Sequence, residues 1–281
     1  MGLDDELDDR GARSRRPVRL GNFTYPRYEC PPAPQQNAAT PRRHPVVVVG
    51  AGMVGLTVLS AFVVTGLADS VHFRLRNDGD DQSVYLQVTR GVAKRDHAFP
   101  KDAKQTVFLM SNPLTTPPAA QISDGVAAIS ASDFRWLKCD VKSVSLLGNC
   151  LLKQMAVDAG VAETLLFRDG KLTEASSCNV FVVKNGVLLA PPKNNLVLPG
   201  ITYDVVLEIA QAREFEFEVR EISEAETRDA DEIWITSSTK EVLAVTSLDG
   251  KTIGDGKPGA LFRRMHALYQ EFKQTVMRRA A

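Results

Sequence analysis

From Ser83 to the C-terminus the chain alternates short strand-like runs with turn residues and helical spacings, and this texture restricts it to a mixed α/β fold. "SVYLQVTRG" alternates apolar and polar residues, "TVFLMS" and "GVAAIS" are short β-rich runs, and "FEFEV" has strict period two. "CNVFVVKNGVLLAPP" reads as two strands turned around Asn185-Gly186, the dipeptide that a two-residue hairpin prefers. Ser223 followed three residues on by Glu226 spells a capping box. "PGALFRRMHALYQEFKQTV" predicts a closing amphipathic helix with Leu261, Met265, Leu268 and Phe272 on its core face. The expectation is one α/β domain over residues 83–281.

The front of the chain has a different texture. Residues 1–45 carry "DDELDD", "RSRRP" and "PPAPQQNAATPRRHP", charged and proline-rich with no apolar period, and are expected to lack a stable fold. The run Val46–Ala68 has no charged residue and admits two readings. It is long enough to cross a bilayer, with Arg42 and Arg43 at its flank. It also reads as a buried "VVVV" strand, a glycine turn and a helix, with Gly50, Gly52 and Gly55 spelling the G-x-G-x-x-G of a dinucleotide-binding unit. Four successive β-branched residues favour the strand. A bound nucleotide would want an acidic residue about twenty positions on, and "SVHFRLR" supplies none. Residues 46–82 are therefore expected to form a β-turn-α piece with no nucleotide.

Composition narrows the function. With 281 residues, 44% of them apolar, the chain can bury a real core, as one large or two modest domains. Lys+Arg and Asp+Glu balance at 34 each, so no overall field favours nucleic acid or an anionic membrane. The four cysteines, Cys30, Cys139, Cys150 and Cys178, form no C-x-x-C pair and suggest no metal; they suit a reducing compartment such as the cytoplasm.

Within the α/β region one lysine invites chemistry. In "RWLKCDVKSVSLLGN", Lys142 is placed between a short apolar run and a segment with helical spacing. Alone, such a lysine would be a solvated surface residue. Val141 and the face formed by Leu146, Leu147, Cys150 and Leu151 predict a buried setting, which would disfavour the ammonium and leave an amine able to form a Schiff base. "LTEASSCNVF" adds a carboxylate, Glu174. "LPGITYDVVLEIA" predicts a helix starting at Ile201 and Thr202, whose free N–H groups make an anion site. "ITSSTKEV" adds Ser237, Ser238 and Thr239 at the end of a strand. Lysine, carboxylate, helix N-terminus and hydroxyls together describe a site for pyridoxal 5′-phosphate.

These four segments, in this order, resemble the fold-type IV, or class IV, aminotransferases, the family of D-amino acid and branched-chain aminotransferases, over about residues 83–281. The resemblance implies the large domain of that fold and a homodimer. It also implies a cofactor bound to Lys142, with Glu174 against the pyridine nitrogen and Leu198 against the ring. Ile201, Thr202, Ser238 and Thr239 would hold the phosphate. Arg95 and His97 in "GVAKRDHAFP" look like the α-carboxylate trap of D-amino acid aminotransferases, which in that family serves the neighbouring subunit. The implied activity is transamination between D-amino acids such as D-alanine and 2-oxo acids.

One feature departs from the family. Its small N-terminal domain carries a phosphate-binding arginine in an H-x-x-R-L segment, whereas in "VHFRL" the stretch His72–Leu75 is one residue short. Residues 41–66 resemble instead the start of flavin-dependent monooxygenases, so the small domain is read as truncated or replaced, as in a chimera. Other readings stand beside the first: a branched-chain aminotransferase or aminodeoxychorismate lyase-like enzyme, a flavin-binding oxidoreductase fragment, or an inactive chimera.

Overall fold

The computed structural model describes residues 82–277 and two short strands, β1 (Arg19–Leu20) and β2 (Phe23–Thr24). β1 and β2 pair antiparallel, a small ribbon inside the segment that was expected to have no fold. The rest of residues 1–81 lies outside the described residues, and with it Gly50, Gly52, Gly55, the 46–68 run and "VHFRL". Among the described residues no helix is long and apolar enough to cross a membrane.

β3 (Gln82–Thr89) and β4 (Thr106–Pro113) form a two-stranded antiparallel sheet of their own, paired from Gln82↔Pro113 to Thr89↔Thr106. The connecting loop, residues 90–105, contains Arg95 and His97.

The main sheet has nine strands. Eight of them follow the order β10 (Phe217–Val219), β9 (Val187–Ala190), β8 (Asn179–Lys184), β11 (Glu232–Ser237), β12 (Glu241–Leu248), β5 (Val126–Ser132), β6 (Glu163–Arg168) and β7 (Lys171–Ala175), and β13 (Lys251–Thr252) pairs with β12. This order forces a curl. β8 and β7 are five strand steps apart, about 24 Å across a flat sheet, yet only Ser176, Ser177 and Cys178 join them, a link that spans at most about 14 Å. The sheet must bend until β7 meets β8, and the turn is tied by Ala175 N–H donating to the Cys178 carbonyl at 2.8 Å.

Curling gives the sheet an inner and an outer face. Leu165, Phe167, Val180, Val182, Ile233, Ile235, Leu243 and Val245 pack together on one side. On the other, Phe181, Trp234, Val242 and Ala244 meet Tyr203, Val206 and Ile209 of α3 (Ile201–Ala212) and Phe262, Met265 and Tyr269 of α5 (Ala260–Phe272). With both faces covered, β8 is buried from Asn179 to Val183, which explains its unbroken apolar run. The other helices are α1 (Ala119–Asp124), α2 (Leu147–Asp158) and α4 (Glu224–Arg228).

Local details bear out some readings and amend others. Asn185 and Gly186, at φ 50° and 82°, make the two-residue turn between β8 and β9, with Lys184 paired to Val187. Ser223 Oγ accepts from Glu226 N–H at 3.1 Å, but the Glu226 carboxylate is taken by Arg220, so only half of the capping box forms. In "FEFEV" only Phe217–Val219 is strand. The core stripe of α5 runs through Phe262, Met265 and Tyr269, with Leu261, Leu268 and Phe272 at its margins, a shift of one position from the predicted face.

Candidate active site

The end of the curled sheet where β7 turns into β8 is polar and buried. Glu174, on β7, is 5% exposed, and both of its carboxylate oxygens are engaged. Oε1 accepts from Arg135 Nη1. Oε2 accepts from Asn179 Nδ2 at 3.1 Å and from the Leu198 N–H at 3.1 Å. A carboxylate has about four acceptor positions, so among the described residues one, at Oε1, is left unused. Burial pushes the Glu174 pKa up to about 7 against the pull of Arg135 and the Leu198 N–H, so near neutral pH this group can hold or release a proton.

Arg135 is fixed from behind. Asp133 accepts from the Arg135 N–H at 3.1 Å, from its Nε at 2.9 Å and from its Nη2 at 2.9 Å. Thr173 Oγ1 and Arg168 Nη2 complete the shell of Asp133 at 3.0 and 3.1 Å. Burial alone would raise the Asp133 pKa, but the bidentate guanidinium holds it below the usual carboxylate range. Burial would likewise lower the Arg135 pKa, and Asp133 and Glu174 reverse that, so the arginine stays charged. The result is a row of alternating charge, the buried Glu174, Arg135 and Asp133 and the half-buried Arg168.

The same carboxylate ties down the start of α3. Asn179 Nδ2 also donates to the Leu198 carbonyl at 2.8 Å, and Gly200 is the helix N-cap. The N-cap has no side-chain hydrogen bond, so the first-turn N–H groups at Ile201 and Thr202 have no intrahelical acceptor. β11 pairs with β8 through Thr236↔Asn179 and then enters the Ser238–Thr239 turn, where Ser237 Oγ accepts from the Lys240 N–H at 3.1 Å. Among the described residues the buried Thr236 hydroxyl has no hydrogen-bond partner. Glu174 is thus hydrogen-bonded to Leu198, which leads through Gly200 into Ile201 and Thr202, and the ladder runs from Asn179 into the Ser238–Thr239 turn.

A second buried carboxylate, Glu163, supports the turn below. It accepts from Ser176 Oγ and, at 2.6 Å, from Ser177 Oγ, with Lys153 and Lys240 ammonium groups 3.6 and 3.7 Å away. Burial would raise the Glu163 pKa, but these hydroxyls and Lys153 hold it below its usual range. Burial pushes the neighbouring Cys178 thiol up to about 11, which keeps it unreactive.

Lys142 is differently placed from the expectation. It does not join a strand to a helix: β5 ends at Ser132, α2 begins at Leu147, and Lys142 lies in the loop between them. Nor is it buried: Lys142, Val141, Leu146, Leu147, Cys150 and Leu151 are all exposed. The helix turns Leu152 and Ala156 to the sheet, which leaves Leu147 (74% exposed) and Leu151 (52% exposed) facing outward. The loop is nonetheless held against residues 194–198, by Arg135 and by the Cys139 N–H donating to the Asn195 carbonyl at 2.8 Å. Arg95 and His97 are exposed in the β3–β4 loop, and among the described residues no hydrogen bond links them to the Glu174 cluster.

Sequence reasoning missed Arg135, Asp133 and Asn179, the groups that build the site around Glu174. The available signal was two opposite charges two residues apart inside an apolar run, "SDFRW", and an asparagine opening a strand five residues after the key carboxylate.

A buried carboxyl with one open acceptor position, a helix N-terminus without a cap and an orphan hydroxyl suit a ligand with a donor at one end and an anion at the other. Comparison with known proteins agrees: the model of the amino-transferase class IV family matches residues 61–248. The chain belongs to the class IV aminotransferase family. The match starts upstream of Ser83, so the class IV region takes in residues 61–82 and overlaps the flavoprotein-like stretch at 61–66. Within the class IV family, the D-alanine aminotransferase of Bacillus licheniformis is 40% identical over 77% of this chain and 75% of that protein. The Staphylococcus epidermidis D-alanine aminotransferase is 36% identical over 68% of each. Among solved structures, the PLP-form of the branched-chain amino acid aminotransferase from Thermobaculum terrenum superposes with a TM-score of 0.60 at 25% identity. That superposition covers 67% of this chain and 63% of that one, so the chain spans just under two thirds of the solved protein's length.

Proposed function

We propose that the chain is a transaminase that uses pyridoxal 5′-phosphate to move the amino group of D-amino acids, such as D-alanine, onto 2-oxo acids. The observation that carries this reading is Glu174: a buried carboxyl with a pKa near 7 and one open acceptor position, tied by Leu198 to the N-terminus of α3. That set fits a pyridine with a phosphate arm. Glu174 Oε1 would face the ring nitrogen and keep it protonated, Leu198 would lie against the ring, and the phosphate would take the N–H groups and hydroxyl at Ile201 and Thr202 with Ser238 and Thr239. When bound, the cofactor supplies an aldehyde that condenses with amino groups and a ring that accepts the electrons released at the substrate's Cα.

The chain's own residues do the rest. Lys142 Nζ would be the attachment point and the group that takes and returns the proton at the substrate's Cα. Arg135 keeps the Glu174 carboxylate aimed, and Asp133 keeps Arg135 aimed. Arg95 and His97 would bind the substrate's α-carboxylate, an orientation suited to offering the Cα–H of a D-amino acid to Lys142. They do so for a neighbouring subunit, since they stand on an exposed loop. A homodimer in the cytoplasm completes the reading, and the exposed apolar groups of Phe134, Trp136, Leu137, Val144, Leu147 and Leu151 support a covering surface.

The test is an assay of the purified chain with added pyridoxal phosphate, following pyruvate formed from D-alanine and 2-oxoglutarate beside 2-oxo acid formed from L-leucine. Turnover of D-alanine but not L-leucine is expected. Faster L-leucine turnover would move the chain to the branched-chain activity of its structural neighbour, and a bound flavin spectrum would replace the reading altogether.

A further inference from the structure

We propose that Asn179 is a positioning residue that holds the carboxylate end and the anion end of the site at one fixed separation, an inference that rests on the functional reading above. Its side-chain nitrogen faces two acceptors, Glu174 Oε2 at 3.1 Å and the Leu198 carbonyl at 2.8 Å, which assigns the amide orientation. Leu198 returns its own N–H to Glu174 Oε2 at 3.1 Å, so carboxylate, amide and backbone close a ring of three hydrogen bonds. The amide oxygen points the other way, at Gly200: a Cβ built on that glycine would lie 2.0 Å from Asn179 Oδ1. Gly200 has φ −71°, open to any residue, so what demands glycine there is the asparagine and not the backbone.

One side chain therefore touches the group that faces the ring nitrogen, the backbone of the ring-facing residue and the cap of the helix that takes the phosphate. Through Thr236↔Asn179 it also sits in the ladder leading to Ser238 and Thr239. A cofactor rigid between ring and phosphate arm needs both ends of its site in register, and Asn179 is buried where the two ends meet.

The coupling between Asn179 and Gly200 makes the inference testable. Pyridoxal phosphate is titrated into the parent chain, Asn179→Ala, Asn179→Asp, Gly200→Ala and the Asn179→Ala/Gly200→Ala double variant. Affinity and the pH dependence of the bound-cofactor absorbance are recorded. Asn179→Ala removes a hydrogen bond to a charged group and should weaken binding by roughly tenfold or more. It should also move the absorbance midpoint to higher pH, because the donor that favoured ionised Glu174 is gone. Asn179→Asp should move the midpoint further, and being isosteric it serves if the alanine variant fails to fold. Gly200→Ala should cost roughly tenfold in the parent and less than about threefold in the Asn179→Ala background, where its Cβ has room.

A merely structural asparagine would lower affinity and leave the pH midpoint where it was; that result, or an equal cost of Gly200→Ala in both backgrounds, overturns the inference. If the parent chain takes up no pyridoxal phosphate, the functional reading fails instead. The coupling is then read from thermal melting of the ligand-free proteins: Gly200→Ala lowers Tm in the parent but not beside Asn179→Ala, and equal losses in both sink it.

Discussion

The Glu174 cluster and the Lys142 loop are built on opposite terms. The charges around Glu174 are buried or half-buried and each is answered by another, with Arg135 and Asp133, at the start of the loop that follows β5, reaching Glu174 on β7 and Arg168 on β6. Lys142 is exposed on a loop, next to apolar side chains that also face outward. The part of that loop tied into buried ion pairs is completed within the chain, whereas the part that leaves its side chains exposed is open to whatever binds there. The first part should answer to substitution in stability, the second in chemistry and assembly.

The sharpest test of that contrast is Lys142→Ala. Activity should fall by about 10²–10⁴-fold or more with the loss of the proton carrier, and borohydride should leave no adduct at residue 142. Because the side chain is exposed, stability should stay within about 0.5 kcal/mol of the parent in urea melts. A reduced adduct at Lys138 or Lys153 would displace Lys142 from its role.

Arg135→Met should do the reverse. It leaves Glu174 buried without its charged partner and Asp133 with only Arg168 and Thr173, and should destabilise the fold by about 3–5 kcal/mol, read from denaturation midpoints even without cofactor. A loss under about 1 kcal/mol would mean that the row of charges is not a unit.

Third comes pH. The Glu174 pKa, about 7 when folded, stands above its ordinary 4.5, so the folded state binds the extra proton. Its contribution to stability is present below about pH 4.5 and is lost as pH rises through 7. Asp133 and Glu163, held below their usual range, lose their contributions only in more acid solution. Glu174→Gln should therefore flatten the decline in stability between pH 5 and 8, while slowing transamination and leaving cofactor attachment at Lys142 intact. Equal slopes in the two proteins would contradict the burial argument.

Arg95→Gln should raise KM for D-alanine by roughly 10–100-fold, the worth of a hydrogen bond to a charged group, with kcat changed less and stability unaltered. The smallest effect on the fold is expected from Leu147→Ser with Leu151→Ser: less than about 0.5 kcal/mol in the isolated chain, but a shift from dimer to monomer in sedimentation. A double variant that stays dimeric would place the covering surface elsewhere.

What could be read from sequence follows the same division. Strand periods, the Asn185-Gly186 turn and the start of α3 are local in the chain, and local rules found them. The partners of Glu174 were not legible, because Arg135 meets it across 39 residues and only after the sheet has curled. Asn179 is near in sequence, but its second contact depends on where residues 198–200 are laid. The burial expected of Lys142 failed for another reason: Leu147 and Leu151 have helical spacing, but periodicity does not say which apolar face meets this chain's own core. Leu152 and Ala156 took that place.

The strand order also sets a timetable for synthesis. β5 lies between β6 and β12, and the link to the latter is sealed by Asp249 holding the Ser130 N–H and hydroxyl across 119 residues. At about 5–20 residues per second, a nascent chain would carry β5 with its β12-side edge bare for roughly 6–24 s before β12 arrived. That makes the interval a window for misassembly, in which the unpaired edge of β5 is a template for a foreign strand.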